Sequence, residues 1–300
     1  MTRVLRTLLF APGDHARRTE KALTLDADAV ILDLEDACPV AKKIATRAVV
    51  VEALSRPRSC LGYIRVNPLS TEFGYGDIQV AVAPGVDGIV VPKIESTDEL
   101  KTADWLVRQV EREKGLEIGA IDILPIIETG KGMAAVDAIA RAGTRIRRLS
   151  FGAGDFTLDM DLAWTRAETE FAPYRAAVVL ASRAAGLDAP LDTVWTRIED
   201  KEGFAASCAN VRGMGFGGKL CIYPDQIPVA NAAFSPSEKQ VAWARRVVEA
   251  FREAEATGSA SIQLDGQFID YPIVYQAQRV VAADETIANR HGAARRTEAA

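Results

Sequence analysis

The chain has 300 residues, 48% hydrophobic and 26% charged, with a formal net charge of −5 at pH 7. This composition predicts a globular protein with a large core, and the negative charge argues against nucleic acid as the main partner. No apolar run reaches the roughly 18 residues of a membrane span, and the N-terminal segment lacks the length and cleavage site of a signal peptide. We therefore expect a cytoplasmic protein that binds neither nucleic acid nor membranes.

Histidine and cysteine are too few or too scattered to carry the chemistry. The only histidines are His15 and His291, which excludes a His-rich zinc site and makes a Ser-His-Asp or Cys-His mechanism a poor explanation. The four cysteines form no CxxC pair and are predicted to be reduced structural thiols. Carboxylates, Arg, Lys or a metal must supply any catalysis.

Short β-branched runs alternate with longer amphipathic segments along the chain, a pattern typical of βα units around a parallel sheet. Strands are predicted at 7–13, 29–36, 61–68, 88–94, 122–129, 148–156, 192–198 and 218–224. Helices are predicted near 14–26, 39–54, 76–83, 96–114, 130–142, 165–185, 200–213 and 235–257. Eight strands each followed by a helix predict an α/β fold, a (β/α)8 TIM barrel, with a doubly wound open sheet as the alternative.

Polar residues collect where the predicted strands turn into loops. The residues at these ends are Pro12, Gly13, Glu35, Asp36, Arg65, Asn67, Lys93, Glu128, Asp155, Tyr223 and Pro224. Barrel enzymes build their active sites at the carboxyl ends of the strands. The sequence therefore predicts an active site at this end of the barrel.

The predicted mouth carries more acids than bases. The strand "AVILDLED" (29–36) ends in three carboxylates, and Glu128 and Asp155 close two later strands, against Arg65 and Lys93 as nearby cations. An excess of oxygen ligands with open water positions suits Mg²⁺ best and Mn²⁺ next. Asp33, deep in its strand, is predicted to be a structural partner.

Two of these acids have ordinary alternative explanations. Glu128 precedes a predicted helix and would favour its N-terminus as a capping acid. Asp155 follows Gly-Ala-Gly and would suit an Asx-turn. Taken together with the missing histidines and the charge excess, the metal interpretation is favoured.

The stretch "GMGFGG" (213–218) matches two nucleotide-binding patterns, but its context excludes both. A helix precedes it and a strand follows it, the reverse of the dinucleotide fingerprint. A phosphate-binding loop needs Ser or Thr after Lys219, where Leu220 stands. We expect these glycines to form a tight turn into the eighth strand.

Ordered motifs along the chain resemble a known family. They read "RTLLFAPGD", "DAVILDLEDACPVAKKIATR", "YIRVNP", "GIVVPKIES", "LPIIETGKGM", "LSFGAGDFTLDM", "GFGGKLCIYPDQIPVAN" and "FSPSEKQVAWARRVVEAF". Together, from about residue 5 to 282, they resemble the citrate lyase β-subunit-like family, within the group of malyl-CoA lyases and HpcH/HpaI aldolases. The resemblance implies a Mg²⁺-dependent barrel enzyme acting on a C–C bond between an acyl thioester and a 2-keto acid.

The resemblance also implies roles for residues at the mouth. Glu128 and Asp155 correspond to the metal ligands, and Arg65 to the residue that holds the substrate carboxylate or the thioester oxygen. Glu35 and Asp36 correspond to the acidic pair behind the metal waters.

The C-terminal segment resembles the family's lid. We expect the barrel to cover residues 1–258, and residues 259–300 to form a lid segment and a flexible tail. Asp270 matches the lid's catalytic acid/base, although "IDYP" alone also suits an Asp-initiated turn. The lid implies a homo-oligomer, a trimer or hexamer, in which each lid serves a neighbouring subunit.

A CoA thioester is the expected substrate, and cations near the first strand are candidates to bind it. We select Arg6 and Lys21, with Pro12 and Gly13 at the strand end, as substrate- and CoA-binding residues. The other basic residues of this region are expected to form a solvated helix face.

The expected function is cleavage or formation of a 3-hydroxyacyl-CoA such as malyl-CoA or citramalyl-CoA. The products are an acyl-CoA such as acetyl-CoA and a 2-keto acid, glyoxylate or pyruvate. Two alternatives use the same site: a malyl-CoA thioesterase, and a citrate lyase β subunit that cleaves a citryl thioester on an acyl-carrier protein. A catalytically silent barrel is a third, and the intact set of Arg65, Glu128 and Asp155 argues against it.

Overall fold

A computed structural model describes residues 4–298 of the chain, with side chains described up to residue 289. The side chains of the predicted flexible tail, including His291, lie outside the described residues. Residues 5–231 form one compact unit, and residue 4 with residues 232 onward forms another. No helix in the described part of the chain is long and apolar enough to cross a membrane.

The first unit contains a closed barrel of eight parallel strands in chain order, with β1 beside β8. The strands are β1 (Thr7–Pro12), β2 (Ala29–Asp33), β3 (Leu61–Arg65), β4 (Gly88–Val91), β5 (Asp122–Ile127), β6 (Ser150–Phe151), β7 (Leu191–Asp192) and β8 (Gly218–Cys221). The prediction of a TIM barrel is confirmed, and the open-sheet alternative is wrong.

Alternate apolar residues of the strands fill the barrel interior. Leu8, Ile31, Tyr63, Leu124 and Leu220 belong to one buried cluster, and each is at most 2% exposed. Their period of two is what a strand requires if one face points inward and the other packs against helices. The polar strand ends therefore stand on a rigid apolar base.

Helices follow the strands and carry local signals for their ends. They are α1 (Ala16–Leu23), α2 (Lys43–Ser55), α3 (Gly74–Ala81), α4 (Thr97–Glu113), α5 (Gly130–Ala134), α6 (Val136–Ala140), α7 (Ala153–Asp159), α8 (Ala172–Ala184), α9 (Lys201–Met214) and α10 (Gln226–Phe234). Ser96 and Thr129 cap α4 and α5 by accepting hydrogen bonds from backbone N–H groups. Gly215 ends α9 with φ of +108°, so the predicted tight turn before β8 is confirmed.

The structure differs from the predicted elements mainly after the sixth and seventh strands. The predicted strand 148–156 is a two-residue β6 followed by α7, and the predicted strand 192–198 is only Leu191–Asp192. At both places the chain leaves the sheet early. Asp155 and Thr193, which follow these two strands, line a cavity at the carboxyl end of the barrel. Apolar residues alone did not indicate that the ladder stops there.

The second unit contains two long helices and a hairpin. These are α11 (Glu238–Ala256), β9 (Ile262–Leu264), β10 (Gln267–Ile269) and α12 (Tyr271–Glu298). Asp265 and Gly266 join the strands with φ of +51° and +78°, as a type I′ turn requires. Apolar residues of α11, the hairpin and α12, including Val247, Phe251 and Ile269, form the core of this unit.

Candidate active site

A buried ion pair joins the carboxyl ends of β2 and β3. Arg65 donates to Asp33 from Nε at 2.7 Å and from Nη2 at 2.6 Å. Asp33 also accepts hydrogen bonds from the backbone N–H groups of Glu35 and Ala37, both at 2.9 Å. Burial would raise the pKa of Asp33, but Arg65 outweighs this effect and lowers it. Asp33 is therefore the ion-pair partner of Arg65, in agreement with the structural role predicted from its position in the strand.

Lys93 lies at the centre of the acidic residues. Its Nζ is 2.5 Å from Oε1 of Glu35 and 3.1 Å from Oδ2 of Asp155. Its backbone N–H donates to Oε1 of Glu128 at 2.9 Å, and its φ of +53° places it in the left-handed region. Burial would lower the pKa of Lys93, but the hydrogen bond to Glu35 and the neighbouring carboxylates raise it.

Glu128 is buried at the end of β5 and does not cap α5. Thr129 performs that capping, because its hydroxyl accepts from the N–H of Gly132 at 3.0 Å. Burial, and then the charges of Glu35 and Asp155, raise the pKa of Glu128 to about 8. The helix-capping explanation for Glu128 is therefore wrong.

Asp155 lies in the first turn of α7, and its side chain is partly exposed. It lines, together with Asp36, Arg65 and Glu128, a cavity of about 210 Å³ that we call the mouth cavity. The structure thus brings the two predicted metal ligands and the predicted substrate-binding arginine to one cavity.

Glu35 and Asp36 occupy different environments. Glu35 is 4% exposed, and its Oε2 is 2.9 Å from Nη1 of Arg65. Burial raises the pKa of Glu35, although Arg65 and Lys93 oppose this effect. The side chain of Asp36 is 62% exposed, 3.8 Å from Arg65 and 3.9 Å from Lys93.

The residues of the mouth cavity fit a hard divalent cation. Glu128 and Asp155 line the cavity with carboxyl groups, and burial together with the charges of Glu35 and Asp155 disfavours the ionised form of Glu128. A bound cation would favour that ionised form. Mg²⁺ is commonly held by one or two carboxylates, with waters and substrate completing the octahedron. Within the described residues no group of three or more His, Cys, Asp or Glu is placed to hold a metal.

A second, larger cavity lies beside the first. This side cavity, about 750 Å³, is lined by the cations Arg17, Arg18 and Lys21 and by apolar residues such as Ile222. Phe10 lines both cavities, so the two are neighbours. A space of this size with apolar walls and three cations suits a large ligand that carries phosphates.

Four residues near the first strand were predicted to bind substrate or CoA, and three of them lie near this space. Pro12 and Lys21 line the side cavity. Gly13 is buried beside it, where a Cβ atom would lie 2.7 Å from Val50 and 2.8 Å from the carbonyl oxygen of Asp33. Gly13 therefore serves the close approach of β1 and α2.

Arg6 does not belong with these residues, and its selection was wrong. It precedes β1, at the end of the barrel opposite the mouth, and is 4% exposed. Its Nε and Nη2 donate to Asp28 at 3.0 and 2.8 Å. A buried guanidinium paired in this way has a structural role.

Comparison with known proteins identifies the family. The family model for HpcH/HpaI aldolase/citrate lyase matches residues 6–224, which include the whole barrel. The chain belongs to this family. The prediction of a lyase of the citrate lyase β type is thereby confirmed at the level of the family.

Relatives with two different activities are similar to this member of the family. The chain is 34% identical to the citrate lyase subunit beta of Haemophilus influenzae, over 92% of this chain and 95% of the relative. It is 32% identical to a (3S)-malyl-CoA thioesterase of Cereibacter sphaeroides, over 94% and 95%. The solved structure of CitE from Mycobacterium tuberculosis in complex with magnesium, acetoacetate and coenzyme A has a TM-score of 0.72 and 27% identity, over 96% and 98% of the two chains.

Some residues of the site were missed or left without a role by sequence reasoning. Lys93 had been counted only as a nearby cation, and no motif marks its left-handed backbone. Thr193 lines the mouth cavity and accepts a hydrogen bond from the N–H of Ala153 at 2.8 Å. Phe10 looked like an ordinary strand residue. Asp270 lies between β10 and α12 in the second unit, and its catalytic role stays a prediction.

Proposed function

We propose that this family member is a Mg²⁺-dependent lyase that cleaves or forms a 3-hydroxyacyl-CoA, such as malyl-CoA or citramalyl-CoA. Cleavage breaks the C2–C3 bond and yields an acyl-CoA and a 2-keto acid. The observation that carries the proposal is one cavity lined by Arg65, Glu128 and Asp155 next to a second lined by three cations. The two cavities accommodate the two halves of such a substrate.

Arg65 supplies a fixed positive charge to the mouth cavity. Its bonds to Asp33 engage Nε and Nη2 and leave the guanidinium unable to turn away. A pre-oriented cation stabilises negative charge that develops on the thioester oxygen during C–C cleavage. The same group can hold a substrate carboxylate through its remaining N–H donors.

Glu128 and Asp155 would hold Mg²⁺, and Glu35 and Asp36 would orient water around it. When bound, the cation supplies charge that lowers the pKa of the substrate hydroxyl and polarises the carbonyl of the keto acid. Lys93 holds the Glu35 carboxyl group in place, since its Nζ lies 2.5 Å from Oε1.

The walls of the mouth cavity favour a small keto acid. Phe10, Ile126, Val194 and Leu220 form its apolar side. The substituent on the keto carbon would contact these side chains, and a hydrogen atom or a methyl group there would bury no charge. Glyoxylate and pyruvate meet this condition.

Arg17, Arg18 and Lys21 would bind the phosphates of CoA along the side cavity. The acid/base for the thioester α-carbon would be Asp270, brought by the lid of a neighbouring copy in a trimer or hexamer. In cleavage its protonated carboxyl group would give a proton to the enolate, and in the reverse direction its carboxylate would remove the proton of the α-carbon, with water excluded.

A thioesterase is the second candidate, favoured by the 32% identity to the malyl-CoA thioesterase over nearly the full length. The same cavities could admit water to the thioester carbonyl of the intact 3-hydroxyacyl-CoA, which would release the hydroxy acid and free CoA. A citrate lyase β subunit acting on an acyl-carrier thioester is the third, favoured by the 34% identity to that class of subunit.

The test is turnover of a panel of 3-hydroxyacyl-CoA esters with Mg²⁺, with keto acid and free thiol measured separately. Keto acid without thiol is the expected result, whereas release of thiol, with or without keto acid, indicates thioesterase activity. Cleavage only of a citryl thioester on an acyl-carrier protein would instead support the citrate lyase subunit. No turnover of any thioester would contradict the proposal.

The metal assignment has its own test. Glu128→Gln and Asp155→Asn should weaken Mn²⁺ binding beyond the roughly 10–100-fold that loss of an outer-shell group costs. Electron paramagnetic resonance measures this binding without substrate. Glu117→Gln, an exposed glutamate outside both cavities, is the matched control.

A further inference from the structure

A buried lysine that lines neither cavity forms hydrogen bonds to the turn after β2, which carries Glu35 and Asp36. Lys43, in the first turn of α2, is 7% exposed. Its Nζ donates to the carbonyl oxygens of Leu34 at 2.9 Å and Glu35 at 2.6 Å, and to Oδ1 of Asn67 at 2.7 Å. All three ammonium protons are used, and all three acceptors are neutral oxygens.

These bonds complete the backbone hydrogen bonding of the turn after β2. Asp33 accepts from the N–H groups of Glu35 and Ala37, while Lys43 donates to the carbonyl groups of Leu34 and Glu35. Asp33 thus holds the N–H groups of the turn, and Lys43 holds its carbonyl groups. Pairing of these buried backbone groups restrains the turn to this arrangement.

Asn67 extends the contact to the end of β3. Its Nδ2 donates to the carbonyl oxygen of Leu34 at 2.9 Å and to Oδ2 of Asp77 at 2.6 Å. Asp77 in turn accepts from Nε of Arg47 at 2.7 Å. Since Arg47 follows Lys43 by one helical turn, α2 holds the β2 and β3 ends together through two cations.

We propose that Lys43 is a positioning residue that fixes the Glu35 carboxylate between Lys93 and Arg65. The inference rests on the proposed lyase function. Burying an ammonium among neutral acceptors is costly, and a methionine of similar length would fill the space more cheaply. What the arrangement provides is a fixed backbone for the turn after β2, and Asp36 of this turn lines the mouth cavity.

The test compares Lys43→Ala and Lys43→Met with Lys42→Ala. Lys42 is the adjacent, exposed lysine, paired with Asp14 at 2.8 Å, and its loss should leave turnover within about twofold. Both Lys43 variants should lower kcat by about 10²-fold, as misplacement of a catalytic group by about 1 Å does. The KM for the thioester should change much less, because the side cavity is untouched.

Two further readouts separate positioning from general stability. Methylammonium or ethylammonium should restore kcat of Lys43→Ala in a saturable way, and tetramethylammonium, which has no N–H donor, should not. Hydrogen exchange of the segment 33–38 should accelerate in Lys43→Met and not in Lys42→Ala, with the urea midpoint of each variant measured alongside.

The outcomes distinguish the two proposals. If wild type turned over no thioester, the proposed function would fail, and this inference with it. If wild type were active and Lys43→Met kept at least half its kcat, only the inference would be overturned. Equal activation by all three ammonium ions would also overturn the inference, because it would show that activity does not depend on the N–H donors of Lys43. If Lys43→Ala does not fold, kcat of Lys43→Met is compared with that of wild type and Lys42→Ala.

Discussion

At the level of single residues, Arg65 differs from Lys93 in what its geometry allows. A guanidinium can bond Asp33 through two nitrogens and still present a third toward Glu35, whereas an ammonium is a single point charge. Arg65→Lys should therefore keep the charge but lose its orientation. We expect kcat on the preferred thioester to fall by about 10²–10³-fold, as for loss of one oxyanion donor.

Steady-state kinetics of purified Arg65→Lys measures this loss. Arg112→Lys, at an exposed position near the end of α4, is the control and should retain wild-type kinetics. Retention of wild-type kcat by Arg65→Lys would show that a point charge is sufficient and that the two-nitrogen pairing has no catalytic role.

Gly152 provides a test of the metal site that changes no ligand. A Cβ atom there would lie 2.5 Å from Oε2 of Glu128 and 2.8 Å from Ile126, so alanine must displace the carboxylate. Gly152→Ala should reduce Mn²⁺ affinity by about tenfold or more, measured by electron paramagnetic resonance. Gly213→Ala, where nothing lies within 4 Å of the added atom, should bind as wild type does. Equal Mn²⁺ affinity in the two variants would contradict the assignment of Glu128.

The residue scale also shows why part of the site was predictable. Glu35, Arg65, Glu128 and Asp155 lie at or just after strand ends, and parallel strands in a closed barrel bring those ends together. Arg6 was chosen for its closeness in sequence to β1, although it precedes that strand and the mouth lies at the strand's carboxyl end.

At the level of elements, strands β7 and β8 are joined to α8 by a buried charge network. Asp192 accepts from Arg175 at 2.8 and 2.9 Å and also from Nζ of Lys219, and all three residues are fully buried. Burial would raise the pKa of Asp192, but Lys219 and Arg175 lower it. Asp192→Asn would leave two buried cations poorly compensated, so the free energy of unfolding in urea should fall by about 3–5 kcal/mol at pH 7.

The same network predicts a pH dependence. Because the pKa of Asp192 is depressed in the folded state, its contribution is complete above the unfolded pKa of about 3.9 and is lost as the pH falls further. The difference between wild type and Asp192→Asn should therefore be constant near neutral pH and shrink below about pH 4. Asp225→Asn, which removes an exposed pair with Lys201, is the control. A difference that persisted unchanged at low pH would contradict the role of the Asp192 charge.

Element types were predictable where periodicity extended over several turns, and their ends were not. The long helices α4, α8 and α11 match predicted segments, because each repeats an apolar face and α4 and α11 begin at a capping serine. The strand β6 stops after two residues, and α7 begins at Ala153, since backbone at the mouth bonds to side chains such as Thr193 instead of a neighbouring strand. Such tertiary hydrogen bonds leave no local pattern.

At the scale of the whole molecule, the barrel places Arg65 and Glu128 in one unit, whereas Asp270 lies in the other. If Asp270 serves the cavity of a neighbouring copy, two inactive variants should complement each other in a mixed oligomer. Arg65→Lys retains Asp270, and Asp270→Asn retains the cavity. Random assembly of equal amounts gives about one quarter of sites with both groups intact.

Co-expression of the two variants under separate tags, followed by tandem purification, yields the mixed oligomers for this experiment. Because tandem purification removes oligomers of a single variant, we expect keto-acid formation at about a quarter of wild type for a hexamer and about a third for a trimer. This is far above the sum of the separate variants, because intact groups meet only across copies. Arg65→Lys with Glu128→Gln is the matched control, since both damage the mouth cavity and restore nothing. Activity no greater than that control would show that Asp270 does not act across subunits, and unchanged turnover of Asp270→Asn alone would remove it from catalysis altogether.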